Sequence, residues 1–264
     1  ILAIMIGGSF LWTMFTKRYM QSRLTGTTDF TQVKKKVFSK VVQYISPQFQ
    51  YFENGHIGIA EFIDSLLFKF ERYTLKGGDQ IVGHYNGIPF QSCNLMVTFR
   101  PNMRNEKEGD DVVFYGNFFV ARSPKTFEHP IVVRPVKGFF SDFNDNAIST
   151  YLNYGGERIR LEDPEFEKQF EVYCDDQVTA RYVLTPAFMQ RLKKLNERHK
   201  GQVYFGINKN NIVIATNEGN SLMTVGSSPA AMLFQKIDLP MVESVYRELV
   251  EQLQMIDTLK LVDN

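Results

Sequence analysis

The sequence is poor in the residues from which most enzymatic sites are built. Two cysteines in 264 residues, Cys93 and Cys174, are too few for a disulfide framework, and nothing resembles a CxxC metal clip. Two free thiols fit a reducing compartment. The four histidines, His56, His84, His129 and His199, are scattered without HxxH or HExxH spacing, so no zinc site is predicted. No GxxxxGK[ST] phosphate loop and no GxGxxG after a strand occur, and the glycine pairs at 77–78 and 155–156 read as turns. No serine sits in a GxSxG elbow. An excess of charge is missing too: 30 basic against 29 acidic residues leave a net charge of +1, which gives no global field for nucleic acid. Phe118-Phe119 has few basic neighbours and reads as core rather than as a base-stacking platform. No cofactor, metal or nucleic-acid partner is therefore expected.

What the chain does have is apolar mass. Hydrophobic residues make up 44%, with 23 Phe and 12 Tyr, enough for a large aromatic core in one domain with an appendage. Residues 1–15, ILAIMIGGSFLWTMF, carry no charge. As a helix they span roughly 22 Å against a hydrocarbon core of roughly 30 Å, so a few residues upstream would complete a transmembrane helix ending at Trp12. A signal peptide would need a small-residue cleavage site where Phe15-Thr16-Lys17-Arg18 stands, and a buried core helix would need polar flanks on both sides. Lys17, Arg18 and Arg23 follow at once, then Lys34, Lys35, Lys36 and Lys40. Positive charge beside a span marks the cytoplasmic side, and such lysines also attract anionic headgroups. The expectation is an inner-membrane protein whose soluble domain faces the cytoplasm.

Three parts are predicted: 1–23 as the end of the span and its basic flank, 24–75 as a helical connector, and 76–264 as an α+β domain. In the connector, Val33, Val37, Val41 and Tyr44 recur at helical spacing up to Ser46-Pro47, and a second helix covers about 58–67. From Lys76 the period changes. Gly77-Gly78-Asp79 introduces a strand, Asn86-Gly87 is a hairpin turn, and the partner runs to about Phe99. Val112–Arg122 alternates and is a strand; Ile131–Val136, bracketed by Pro130 and Pro135, reads as a separate edge strand. Residues 138–158 read as a surface loop.

The densest stretch is LEDPEFEKQFEVYCDDQVTARYVLTPAFMQRLKKL. Asp163-Pro164 is an N-cap with proline at the first helical position, and Thr185-Pro186 repeats the device before a helix ending at Lys200-Gly201. Asp175 is expected to cap the turn that follows strand Glu171–Cys174. Beyond it, Asn208–Asn211 reads as the turn of a second hairpin, Leu222–Val225 as a short strand, and Pro240–Lys260 as an amphipathic helix whose stripe faces the core.

Cys174-Asp175-Asp176 is the best candidate site. Paired carboxylates can hold a hard cation or raise one partner's pKa for acid–base work. The plainer account is a strand end and a helix cap, with Arg181 near enough for a salt bridge.

The same residues carry a resemblance. LEDPEFEK, then FEVYxDDQVxARYxLTP, then a helix and an INK…I pattern are similar to a family of membrane-anchored bacterial proteins of unknown function, domain-of-unknown-function family 3137. FFVARSPKTFEHPIVV and RYTLKGGDQIVGHYNGIPF fit the same ordering, so the resemblance covers about 70–225. Its motif falls here on Asp163, Pro164, Asp175, Asp176, Gln177, Arg181, Thr185 and Pro186; Cys174 stands where the pattern expects serine. The resemblance implies one or two transmembrane helices before a cytoplasmic α+β domain, and gene neighbours of the LemA type that hint at a membrane complex. It supplies no activity, cofactor or catalytic residue.

The fold expected is α+β: an antiparallel sheet flanked by helices, preceded by a transmembrane helix. The leading functional expectation is a non-enzymatic interaction or accessory subunit of a membrane complex, with protein partners or copies of itself. A metal-dependent enzyme using Asp175 and Asp176 is the alternative, and a sensor of a small ligand or lipid headgroup the third class.

Overall fold

The computed structural model describes residues 27–68, 73–99, 111–136, 156–217 and 239–258. The expectations on residues 1–23, on 138–155 of the expected surface loop and on Leu222–Val225 lie outside them, while the end of that loop is strand, Glu157–Ile159. Among the described residues, no helix is long and apolar enough to cross a membrane.

Helix α1 (Thr27–Ile45) leads into strands β1 (Gln50–Phe52), β2 (Tyr73–Tyr85), β3 (Ile88–Phe99) and β4 (Asp111–Pro135), with the short helix α2 (Ile59–Asp64) between β1 and β2. Then come β5 (Glu157–Ile159), α3 (Pro164–Glu167), β6 (Phe170–Cys174), α4 (Gln177–Val183), α5 (Pro186–Arg198), β7 (Val203–Asn217) and α6 (Leu239–Thr258). The seven strands form one antiparallel sheet in the order β1-β2-β3-β4-β6-β5, with β7 paired along β4. This is the α+β class expected, an antiparallel sheet with flanking helices.

Both faces of the sheet are covered, and each has its own core. On one face α1, α5 and α6 bring Phe38, Val42, Phe188, Leu192, Leu253 and Ile256 onto Phe90, Phe119, Val133 and Ile214. On the other, the segment around α2 lays Ile57, Phe62, Leu67 and Phe68 over Cys93, Leu95, Phe118, Val213 and Tyr204. Phe62 is fully buried there, stacked on Phe68 at 5.5 Å and edge-on to Tyr73 at 5.1 Å. Double coverage explains why VYFGI and IVIAT in β7 are apolar at successive positions instead of alternating. The segment expected as a connector thus adds one strand, and side chains of α1 and α2, to the same sheet and cores.

The central ribbon corrects two expectations. Val112–Arg122 and Ile131–Val136 are not separate strands, and Asn208–Asn211 is not a hairpin turn: β4 and β7 each run through unbroken and pair with one another. The turn-like residues of the two strands lie opposite each other. Register shifts fall between Arg122, Phe127 and Ile131, where Phe127 faces Lys209, itself at φ +55°. Proline cannot donate to a ladder, so Pro124 and Pro130 sit in this irregular stretch. Ile131–Pro135 is interior, between β7 and β6, and not an edge.

A third correction concerns Gly77-Gly78-Asp79. It does not precede β2 but interrupts it as a bulge, with the register shifting between Gly78 and Ile81. Asp79 adopts φ +57° and its N–H donates to the Glu53 carbonyl at 2.8 Å. A Cβ at Gly77 would stand 2.7 Å from the His56 Cβ and one at Gly78 2.8 Å from the Glu53 carbonyl, so only glycine admits the β1–α2 loop this close. The Asn86-Gly87 turn is as expected, with both residues at positive φ.

Candidate functional site

The densest sequence stretch folds as a chain of caps. Asp163 accepts from the N–H groups of Glu165 and Phe166, both at 3.0 Å, ahead of Pro164, and its carboxylate is held by Lys193 at 2.7 Å. The Lys193 bond, helped by the cap bonds, keeps the Asp163 carboxyl below the usual carboxylate range. Thr185 accepts from the Phe188 N–H and precedes Pro186 at the head of α5. At the far end Lys200 and Gly201 take positive φ and the Gly201 N–H bonds to the Asn196 carbonyl at 2.7 Å.

The paired carboxylates separate into two roles. Asp176, not Asp175, caps α4: its Oδ2 accepts from the Thr179 N–H at 2.7 Å and hydroxyl at 2.6 Å. Those bonds lower its pKa. Asp175 turns outward and meets His129 of β4, Nδ1 to Oδ1 at 2.8 Å, a contact 39% and 51% exposed on its two sides. Sequence separation hid that pair, because His129 lies in the long irregular part of β4. Arg181 does not reach the carboxylates; it bonds the side chain of Gln177, one turn earlier, at 2.9 Å.

This arrangement fixes what the residues can do. Cys174 Sγ, Asp175 and His129 follow one another in space, with the thiol 4.0 Å from the carboxylate and, among the described residues, no imidazole hydrogen-bonded to the sulfur. A nucleophilic thiol needs the base next to sulfur. Burial also pushes the Cys174 thiol up, the direction of an inert structural cysteine. Among the described residues no group of three His, Cys, Asp or Glu side chains is placed to hold a metal ion. What the stretch presents to solvent is the outer face of α4: Val178 is 75% and Tyr182 64% exposed, one turn apart, with Arg181 and the Asp175–His129 pair close in sequence or space.

A second cluster was not foreseen. A polar row crosses the α1/α6 face of the sheet, running Asp79, Asn94, Asn117 and Thr216 over four neighbouring strands, all buried. Asp79 receives Lys34 of α1 at 2.8 Å, Asn94 at 3.3 Å and a short hydrogen bond from Tyr51. Burial first, and then the Asp79 charge, raise the Tyr51 hydroxyl far above its ordinary value, so it stays a donor. Further along, Gln252 of α6 donates to Asn117 at 2.8 Å, Ser92 donates to Asn117 at 3.0 Å, and Thr216 donates to Glu248 at 3.3 Å. Single polar residues inside aromatic strands, as in FYGNFF, were the available signal. Lys34 was hidden in a lysine run that reads as a solvated face.

Three comparisons bear on identity. The family described as "Protein of unknown function (DUF3137)" matches residues 112–261. Among curated proteins none matches the chain. Among solved structures, the crystal structure of the mycobacterial trehalose monomycolate transport factor A, TtfA, is similar at 8% identity with a TM-score of 0.43, covering 87% of this chain and 96% of that one. At that score the likeness decides neither fold nor function.

Proposed function

The chain belongs to the DUF3137 family, and on that premise we propose that it is a membrane-anchored, non-enzymatic interaction subunit of a membrane complex. The observation that carries this reading is the division of labour in the family stretch. Asp163, Asp176 and Thr185 are spent on caps and Asp175 on His129, while the two most exposed apolar side chains of the stretch, Val178 and Tyr182, stand on one face of α4. An apolar centre with a polar and charged rim is the composition of a protein-binding patch. The occupant proposed is a protein of the same membrane. Anchoring at the inner membrane with the domain on its cytoplasmic side is supported by the uncharged run of residues 1–15 and the basic residues Lys17, Arg18 and Arg23 after it.

The test is affinity purification of the full chain from native membranes in mild detergent, beside the same purification of Val178→Asp. A stoichiometric partner with the wild type that is lost from the variant is expected. Recovery of the wild type alone, or only as copies of itself, contradicts the reading.

A further inference from the structure

Helices α5 and α6 leave between them a cleft of about 350 Å³ lined by Arg191, Lys194, Leu195, Arg198, Glu251, Gln254 and Met255. Its charge is one-sided. Arg191, Lys194 and Arg198 recur at three- and four-residue spacing, which puts all three on one face of α5, and Glu251 is the only carboxylate in the lining. Three cations against one carboxylate leave two positive charges. Arg198 is paired with Glu251, and Arg191 donates one N–H to the Gln254 carbonyl at 2.8 Å, leaving further guanidinium N–H groups for a ligand. Lys194 is exposed and has no hydrogen-bond or ion-pair partner among the described residues. Buried Leu195 and Met255 give the cleft an apolar part beside this cationic wall.

We infer that the α5–α6 cleft is a binding site for a phosphomonoester carrying an apolar group. A phosphate dianion matches the two positive charges in excess within the lining, and two arginine forks around a lysine suit its oxygens. The volume lies at the small end of ligand pockets, enough for the phosphate and a short apolar portion. The bearer of that chemistry is either a soluble phosphomonoester or the headgroup of a lipid with its first carbons. The site stands independently of the protein-partner reading, since none of its residues belongs to α4.

The experiment is calorimetric titration of the full chain, in a maltoside detergent that contains no phosphate, with phenyl phosphate as probe. One saturable site is expected. Lys194→Ala weakens it about tenfold through loss of one charge-assisted contact. Glu251→Gln strengthens it about fivefold, because Arg198 is released and a repelling charge removed; misfolding cannot produce a gain. Dihexanoyl phosphatidic acid and dihexanoyl phosphatidylcholine separate the sources: tighter binding of the former alone identifies a lipid headgroup, and exclusion of both with phenyl phosphate still bound identifies a soluble ligand. Absence of saturable phenyl phosphate binding overturns the inference, as does binding unchanged by Lys194→Ala or weakened by Glu251→Gln.

Discussion

Asp79→Asn separates charge from conformation at the bulge of β2. Asparagine tolerates the left-handed backbone that Asp79 adopts at φ +57° and keeps an acceptor for the Tyr51 hydroxyl. What it removes is the counter-charge of Lys34, whose side chain is 11% exposed against 7% for Asp79. Removing one partner of a buried ion pair costs about 3–5 kcal/mol, because the remaining charge stays desolvated. The retained hydrogen bonds put Asp79→Asn at the lower end, about 3 kcal/mol. With a urea slope of about 3 kcal/mol per M, the midpoint moves down by about 1 M. Lys34→Met in the same background removes the stranded cation. The double variant is then less destabilised than the two singles added together, by about 1.5 kcal/mol or more, as coupled neighbours require. Equilibrium urea unfolding of the four proteins reads all of this. An Asp79→Asn variant within about 0.5 kcal/mol of wild type, or singles that simply add, would refute the claim that this pair is buried and coupled.

Three further outcomes follow from the geometry. Phe62→Ala, which empties the centre of the second core beside Phe68, Tyr73 and Phe118, lowers stability by about 3–5 kcal/mol in the same assay; a loss below about 1 kcal/mol contradicts that packing. Asp163 is depressed below its free value of 3.8 by Lys193 and the α3 cap, so its stabilising contribution is complete above that pH and disappears as the pH falls through the lower folded value. Asp163→Asn, which keeps a capping oxygen but loses the charge facing Lys193, is accordingly less stable at neutral pH and loses less on acidification, and parallel acid-unfolding curves for the two proteins would exclude the stabilising role of that charge. Burial pushes the Cys93 thiol up to about 12 and raises Cys174 as well, so a thiol reagent at about pH 8 modifies neither in the native protein and both in urea; rapid native labelling of Cys174 would reopen a reactive role for it.

The sequence was most legible where a local signal is also the structural cause. Asp163-Pro164, Thr185-Pro186, Asn86-Gly87 and Lys200-Gly201 act through their own backbone geometry, and each does locally what its residue types dictate. It was misleading where a turn-like residue is used inside a strand. Pro124, Pro130 and Asn208–Asn211 resemble chain reversals one strand at a time; only the pairing of β4 with β7 places the two irregular stretches opposite each other and lets both strands continue. The Asp79 bulge is of the same kind, since its cause is the approach of Glu53 from β1's flank. The polar row was illegible for a different reason: Lys34, Asp79, Asn117 and Gln252 are far apart in sequence and ordinary alone, and their meaning lies in being buried together. In the candidate site, the cap was legible to within one residue, but the partner of Asp175 was not, because His129 arrives from another strand.

The central claim is that the outer face of α4 holds a protein partner, and site-specific photo-crosslinking tests it most directly. A photoreactive residue is placed at Tyr182 of the full chain, in native membranes, with a second protein carrying it at the exposed Lys168 of the α3 end as control. The account predicts one discrete heterologous adduct from position 182, reduced by Val178→Asp and absent from position 168. No adduct at 182, or the same adducts from both positions, would contradict it.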